Sequence, residues 1–302
     1  MTTQLIRPAH RDQVVVSADG SKIQVEVYGA DDRPAVVLSH GWTCSIRFWA
    51  AQITDLAVDH RVIVYDQRGH GRTPPPADGG FGYSTDALAD DLEAVLSATL
   101  KDGEKAVVAG HSMGGMTIMA AARRPAFRKH VAAALLCSTG CSLLVTESLI
   151  VPLRSGRMRT WLTRKLLGSP APLGPVTALS KRILRYGTMG PGATAEQIAE
   201  CARIVHACPR PARVAWSRVL DELDLEADVR ELTVPTAIIV GSADRLTPPV
   251  HARTIEAGLP RSAGLTEVPG MGHMSPVEEP ELVTARIREL VGAHLTTKED
   301  AV

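Results

Sequence analysis

No excess of charge of either sign marks this chain: 33 Lys and Arg balance 33 Asp and Glu, for a formal net charge of zero. Without a basic surplus the molecule as a whole has no attraction for a phosphate backbone, so nucleic acid is not an expected partner. Cysteine is sparse and unpatterned. The five thiols at positions 44, 137, 141, 201 and 208 form no C-x-x-C pair and no zinc-finger spacing. An odd count with no secretory signal fits reduced thiols. The first eight residues carry no apolar stretch of the kind a signal peptide needs,. The longest apolar run, around 131–137, is far too short to span a bilayer,. There is no internal repeat. These absences point to a soluble, cytoplasmic protein with no transmembrane segment.

What is present is an ordinary globular composition, 45% apolar and 22% charged over 302 residues, enough for one large α/β domain or two small ones. β-branched runs recur at 13–17, 22–28, 35–39, 62–65, 106–109, 132–137, 236–240 and 265–268. The first two flank Asp19-Gly20, a two-residue hairpin signal. Most later runs are nearly all apolar, as strands buried on both faces of a parallel sheet should be. Helical periodicity at 48–57, 84–100, 113–123 and 279–295 separates them,. The order is a hairpin followed by β-α repeats, hence one parallel sheet with helices on both faces. From 141 to 229 no strand is expected, only Leu-, Arg- and Ala-rich helical segments broken by Gly and Pro. This divides the chain into a core of 13–140 and 230–295, a helical cap insertion of 141–229 over the carboxyl edge of the sheet, and a tail of 296–302 expected to fray.

The chemistry starts at Gly110-His111-Ser112-Met113-Gly114, a G-x-S-x-G pattern between an apolar strand and a helix. A serine hydroxyl is a poor nucleophile without a base, an oriented acid and an oxyanion site. A tight strand-to-helix turn exposes Ser112, drives its backbone toward positive φ and brings neighbouring chain close, which glycine at 110 and 114 accommodates. The helix that follows aims its positive end at the reacting group. Asp244 stands in the loop after the run 236–240, and His273 in the loop after 265–268. Both loops open on the same sheet edge as Ser112. His273 can take the serine proton and return it to the leaving group, with Asp244 holding the imidazole tautomer. The order Ser, Asp, His is that of a hydrolase of this architecture. The run 35–39 ends in His40-Gly41-Trp42, which assigns the backbone N–H groups of Trp42 and Met113 to a developing oxyanion. Donors of this kind are worth about 3–4 kcal/mol each toward a transition state.

Together His40-Gly41-Trp42, the segment Asp66-Gln67-Arg68-Gly69-His70-Gly71, the Ser112 motif, Gly241-Ser242-Ala243-Asp244 and Gly272-His273 resemble the α/β-hydrolase superfamily over roughly residues 14–295. Within it the chain is most similar to bacterial esterases, monoglyceride-lipase-like enzymes and the cofactor-free haloperoxidase or perhydrolase branch. The resemblance implies an eight-stranded, mostly parallel sheet, a serine hydrolase mechanism, and no metal or organic cofactor. Dehalogenases and epoxide hydrolases of the superfamily carry Asp as nucleophile, whereas this chain has Ser112, and its insertion has only Tyr186 where epoxide hydrolases need two cap tyrosines. Perhydrolase-like members usually have proline after His-Gly-Trp; here it is Thr43, which weakens that activity.

Other polar residues take blander assignments. His40 and His111 are expected to be hydrogen-bonded behind the oxyanion loop and the elbow, and Asp66 and Arg68 to brace loops. His70, His206 and His251 have no evident partner and read as surface or core residues. Cys201 and Cys208, seven apart, read as core rather than a redox pair. From 141 to 220 there are twelve Lys or Arg against three Asp or Glu. That pattern fits either a surface for acidic substrates or lipid, or solvated helix faces whose long basic side chains cover apolar surface; the second is the expectation. The reaction expected is hydrolysis of a small-molecule carboxylic ester through an acyl-enzyme, with thioester, amide, lactone or carbon–carbon bond cleavage and perhydrolysis open to the same machinery. The alternative of another class is a non-catalytic ligand-binding protein on the same fold.

Overall fold

The computed structural model describes residues 8–77 and 82–295. The frayed tail expected at 296–302, and most of the N-terminal stretch read for a signal, lie outside the described residues. Eight strands form one sheet: β1 (His10–Val16), β2 (Lys22–Tyr28), β3 (Ala35–Ser39), β4 (Arg61–Tyr65), β5 (Ala106–His111), β6 (Val131–Cys137), β7 (Thr236–Gly241) and β8 (Ser262–Val268). Their spatial order is β1-β2-β4-β3-β5-β6-β7-β8. β2 runs antiparallel to both its neighbours, and every pair from β4 to β8 is parallel. This is the eight-stranded, mostly parallel sheet of the α/β-hydrolase fold.

Side chains of a strand alternate between faces, and here each face meets its own helical layer. Val37, Val108, Leu136 and Ile238 join one core cluster with Leu88, Leu92 and Val95 of α2 (Thr85–Thr99) and with Met116 of α3 (Met113–Ala120). Val36, Val107, Leu135 and Ile239 join the other, with Ile53 and Leu56 of α1 (Ala50–Leu56) and Val283, Ile287 and Leu290 of α13 (Pro280–His294). The uninterrupted apolar runs of the central strands are the consequence. Helix α2 starts where the Ser84 hydroxyl accepts from the Ala87 N–H at 3.0 Å. Three helices outside the insertion escape the periodic reading, α4 (Pro125–His130), α11 (Pro249–Gly258) and α12 (Ser275–Glu278). All are short and carry a proline in the first helical turn, where its missing N–H costs nothing.

Between β6 and β7 the chain is helical: α5 (Leu144–Glu147), α6 (Arg157–Leu167), α7 (Ala178–Thr188), α8 (Ala195–Ala207), α9 (Arg210–Glu222) and α10 (Glu226–Val229). The last, α10, packs against α3 and α11, and its Val229 is part of the core. Hydrogen bonds tie α7 and α9 to the loops that leave β3, β7 and β8 at their carboxyl ends. The Trp42 indole donates to the Arg213 carbonyl at 3.1 Å, Arg245 Nη1 to the Tyr186 carbonyl at 2.6 Å, and the His273 N–H to the Thr188 carbonyl at 2.8 Å.

Below that edge a buried ion pair fixes the segment after β4. Arg68 grips Asp91 of α2 through Nε and Nη2 at 2.8 and 2.6 Å, and its Nη1 donates to Asp19 in the β1–β2 turn at 2.8 Å. Both Arg68 and Asp91 side chains are excluded from solvent. Arg68→Met leaves the Asp91 carboxylate uncompensated and is expected to cost about 3–5 kcal/mol in urea unfolding, part of which returns when Asp91→Leu is added. No loss of stability in Arg68→Met, or no return of stability when Asp91→Leu is added, would contradict a structural pair.

Candidate active site

Ser112 sits between β5 and α3 at φ 51° and ψ −117°. A non-glycine residue held there costs on the order of 1–3 kcal/mol, and the surroundings supply the compensation. Its N–H donates to the Cys137 carbonyl at the end of β6 at 2.9 Å. Its carbonyl accepts from the Gly115 N–H at 2.8 Å, the Met116 N–H at 3.1 Å and the Thr139 hydroxyl at 2.7 Å. The two motif glycines are there for space. A Cβ on Gly114 would stand 2.0 Å from the Ser39 carbonyl oxygen, and one on Gly110 would stand 2.4 Å from the Gly114 oxygen. The Ser112 hydroxyl makes no hydrogen bond among the described residues, and the residue is only half-buried.

The loop after β3 runs alongside. A Cβ on Gly41 would approach the Ser112 Cβ to 3.1 Å, so the Trp42 backbone lies next to the elbow. Among the described residues neither the Trp42 N–H nor the Met113 N–H has a hydrogen-bond partner, as the first N–H of a helix commonly lacks one,. Three buried histidines hold this region. His40 donates from Nδ1 to the Gly41 carbonyl at 2.8 Å and accepts the Gln67 N–H at Nε2 at 3.0 Å. His70 donates from Nδ1 to the Arg68 carbonyl at 3.2 Å and accepts the Thr43 N–H at Nε2 at 3.1 Å. His111 donates from Nε2 to the His273 carbonyl at 2.8 Å. Burial lowers His40 to about 4 and His70 to about 3, and pushes His111 well below the usual histidine range. All three are neutral staples near pH 7.

Asp244 and His273 meet in the loops after β7 and β8. His273 Nδ1 donates to Asp244 Oδ2 at 2.8 Å, and both side chains are buried. The Thr247 hydroxyl donates to the same oxygen at 2.9 Å, while Asp244 Oδ1 accepts the N–H groups of Leu246 and Thr247, each at 2.9 Å. With four donors the carboxylate is fixed in place. Using Nδ1 as the donor leaves His273 Nε2 as the basic nitrogen. The His273 ring centroid lies 4.9 Å from that of His111, the residue before the serine. The loops carrying Ser112, Trp42, Asp244 and His273 therefore converge at one end of the sheet.

The fold, the strained serine turn and the matched residues now stand beside known proteins. The model of the alpha/beta hydrolase family matches residues 36–286. The chain belongs to the alpha/beta hydrolase family. Among its relatives, a non-heme chloroperoxidase from Burkholderia pyrrocinia is 30% identical over 271 residues, covering 86% of this chain and 92% of that protein. A bifunctional esterase/perhydrolase DCH from Acinetobacter calcoaceticus is 28% identical, covering 89% and 95% respectively. The crystal structure of the esterase RhEst1 from Rhodococcus sp. ECU1013 has the same fold, with a TM-score of 0.76 at 22% identity over 94% of this chain and 99% of that one.

Several contacts around these loops are not visible in the sequence motifs. Far from lacking a partner, His70 carries the Thr43 N–H and His206 Nδ1 donates to the Gly174 carbonyl at 2.9 Å, while His251 Nε2, like His111 Nδ1, is buried without one among the described residues. Asp66 braces as expected, accepting from the N–H of Ile46 at 2.8 Å and of Arg72 at 2.9 Å. Thr247 and Glu278 were not singled out. Glu278 accepts from the N–H groups of Gly190, Gly272 and Met274 at 2.7, 3.0 and 2.9 Å, tying the His273 loop to the insertion. The sequence signal for the first was its position three residues after Asp244, the spacing of a side-chain turn; for Glu278 there was none. Trp216 is fully buried, its indole donating to the Arg68 carbonyl at 3.1 Å, and Met189 is buried too, whereas Trp161 is exposed. A groove of about 970 Å³ runs along α6 beside Trp161, and Ser112 is not among the residues that line it.

The depressed His40 has a consequence for acid stability. Its ordinary pKa of 6.5 falls to about 4 on folding, so below 6.5 the unfolded chain binds the proton first. The stabilisation is complete above about pH 6.5 and is lost as the pH falls toward 4, at up to roughly 1.4 kcal/mol per pH unit. Urea unfolding between pH 7 and 4.5 is expected to give a shallower pH slope for His40→Gln than for the wild type. Equal slopes would mean that His40 is not buried in its neutral form.

Proposed function

We propose that the protein is a serine hydrolase that cleaves a carboxylic ester through an acyl-enzyme. Ser112 is the nucleophile, His273 the general base and acid, Asp244 the group that orients and balances the imidazole, and the Trp42 and Met113 N–H groups the oxyanion donors. The observation that carries this reading is the Asp244–His273 pair beside a serine held at φ 51°. That pair commits Nδ1 and frees Nε2 to take the Ser112 proton as Oγ attacks the carbonyl carbon. Negative charge then grows on the carbonyl oxygen next to two unspent N–H donors, where such donors are most effective. The imidazolium returns its proton to the departing alcohol. In the second half, His273 deprotonates water, which attacks the acyl carbon and releases the acid and Ser112. The esterase/perhydrolase relative supports the same class of bond.

Peracid formation, with hydrogen peroxide in place of water, is the second reading, favoured by the names of the chloroperoxidase and perhydrolase relatives. Thr43 argues for water. It sits at φ 63°, with its N–H bonded to His70. A proline, locked near −65° and lacking the N–H, can satisfy neither condition. The oxyanion loop of this chain is thus built differently from one that holds proline there.

A fluorophosphonate is expected to label Ser112 in the folded protein, and Ser112→Ala to abolish labelling while lowering kcat/KM for p-nitrophenyl esters by at least about 10³-fold. Asp244→Asn should drop kcat by about 10⁴-fold with little change in KM, because Nδ1–H loses its anionic acceptor. An unlabelled serine in the folded chain, or ester turnover intact in Ser112→Ala, would remove the serine mechanism. With hydrogen peroxide added, hydrolysis should remain the main reaction; predominant peracid would reverse the order of the two readings.

A further inference from the structure

Many apolar side chains of the helical insertion face outward. Of fifteen exposed large apolar side chains among the described residues, eleven lie between positions 143 and 186. The same stretch has eight Lys or Arg and one acid, Glu147. The arrangement on α6 is ordered. Arg159 and Thr163 point inward and are buried. Arg157, Trp161 and Lys165, four residues apart, line the opposite side together with Met158,. Trp161 is 52% exposed and Met158 65%. No residue of α7 is buried, and its Leu179, Arg182, Ile183 and Tyr186 fall at the spacing of one helical face,. Among the described residues Arg157, Lys165 and Arg182 form no ion pair, in contrast to Arg164, which meets Asp221 at 2.6 Å.

We propose that this outward face of α6 and α7 docks the protein on an anionic lipid surface. Apolar residues interleaved with unpaired cations, and a tryptophan among them, are what an in-plane interfacial helix requires: the apolar groups enter the acyl boundary while the cations meet headgroup phosphates. Charge decides against a second copy as occupant. A symmetric dimer would set the face against itself, cation facing cation, with a single acid in the stretch to offset them. The face is also joined to the candidate active site. The Thr188 carbonyl at the end of α7 accepts the His273 N–H, and Arg245, the neighbour of Asp244, lies over the Tyr186 ring at 4.6 Å. A surface engaged by α7 is therefore presented close to the loops that carry the proposed chemistry. Docking itself requires no turnover.

Tryptophan emission provides the test, because Trp49 and Trp216 are fully buried, Trp42 is half-buried and Trp161 is the exposed one. Vesicles of phosphatidylcholine and phosphatidylglycerol in equal parts are expected to shift the emission to shorter wavelength and to co-sediment the protein. Vesicles of phosphatidylcholine alone should do so far less, and high salt should weaken the effect. The variant Arg157→Gln/Lys165→Gln/Arg182→Gln should lower partitioning roughly a hundredfold, and Trp161→Ser should remove most of the emission shift. All four positions are solvent-facing or half-exposed, so a thermal melt like that of the wild type is expected from each variant. Absence of co-sedimentation with the anionic vesicles overturns the proposal. So does binding that is equal on neutral vesicles or undiminished in the triple variant. A concentration-dependent dimer that Trp161→Ser abolishes would assign the face to a second copy instead.

Discussion

The backbone of Ser112 passes through a region of φ and ψ that a serine does not choose alone, and the layout of the sheet's carboxyl edge follows from how that turn is held. At φ 51° the residue depends on β6 for an acceptor, the Cys137 carbonyl, and on Thr139 just beyond it for a donor. It depends on β3 for room, because the Ser39 carbonyl lies where any Cβ on Gly114 would go. β3 and β6 are the two strands that flank β5. The strain is therefore carried by neighbours that the parallel order supplies, and the loop leaving β3 necessarily runs past the serine. Strand order and the position of Trp42 are one constraint seen twice.

Histidine does two different jobs at this edge, separated by what its Nδ1 meets. His40 and His70 each give a proton to a carbonyl and take one from an N–H, so each joins two backbone segments while uncharged. Desolvation keeps them neutral, and neutrality is what leaves one nitrogen able to accept. His273 has a carboxylate at Nδ1 instead, and a carboxylate can balance a positive imidazole where a carbonyl cannot. Four donors on Asp244 hold that charge in register. Of the four histidines at this edge, His40, His70, His111 and His273, the last is the one whose Nδ1 meets a carboxylate, which is the feature that the proposed mechanism uses.

The central strands were legible because burial on both faces leaves an apolar run with little else in it; β3 was readable to the residue. The edge strands were read short. β1 begins at His10 and β8 at Ser262, three residues earlier than the β-branched runs suggested, since a half-exposed strand is paired by backbone groups that side-chain pattern does not report. In the site, residues adjacent in sequence to a strand end or a glycine motif could be picked out, whereas Glu278 could not. Its partners Gly190 and Gly272 are far apart in the chain, and a carboxylate bound to backbone N–H groups leaves no mark in residue type. The partners of His70 are invisible in the sequence for the same reason, both being main-chain atoms.

The insertion is helical, as its composition suggests, but the direction in which its helices face is not written in the pattern. Amphipathic spacing says that a helix has an apolar face but not whether that face turns in or out. In α7 it is the outward face that carries Leu179 and Ile183. The helix nonetheless keeps its place because its inner side packs on α8 through Leu184 and its last turn is held, the Thr188 and Tyr186 carbonyls receiving His273 and Arg245. A helix anchored on one side and at one end can present its other flank to another phase. Because one of those anchors is the N–H of His273, the position of α7 and the position of the imidazole are set by the same hydrogen bond. The insertion is thus mechanically part of the site, although among the six residues assigned to the chemistry and its orientation, Ser112, His273, Asp244, Thr247, Trp42 and Met113, none belongs to it.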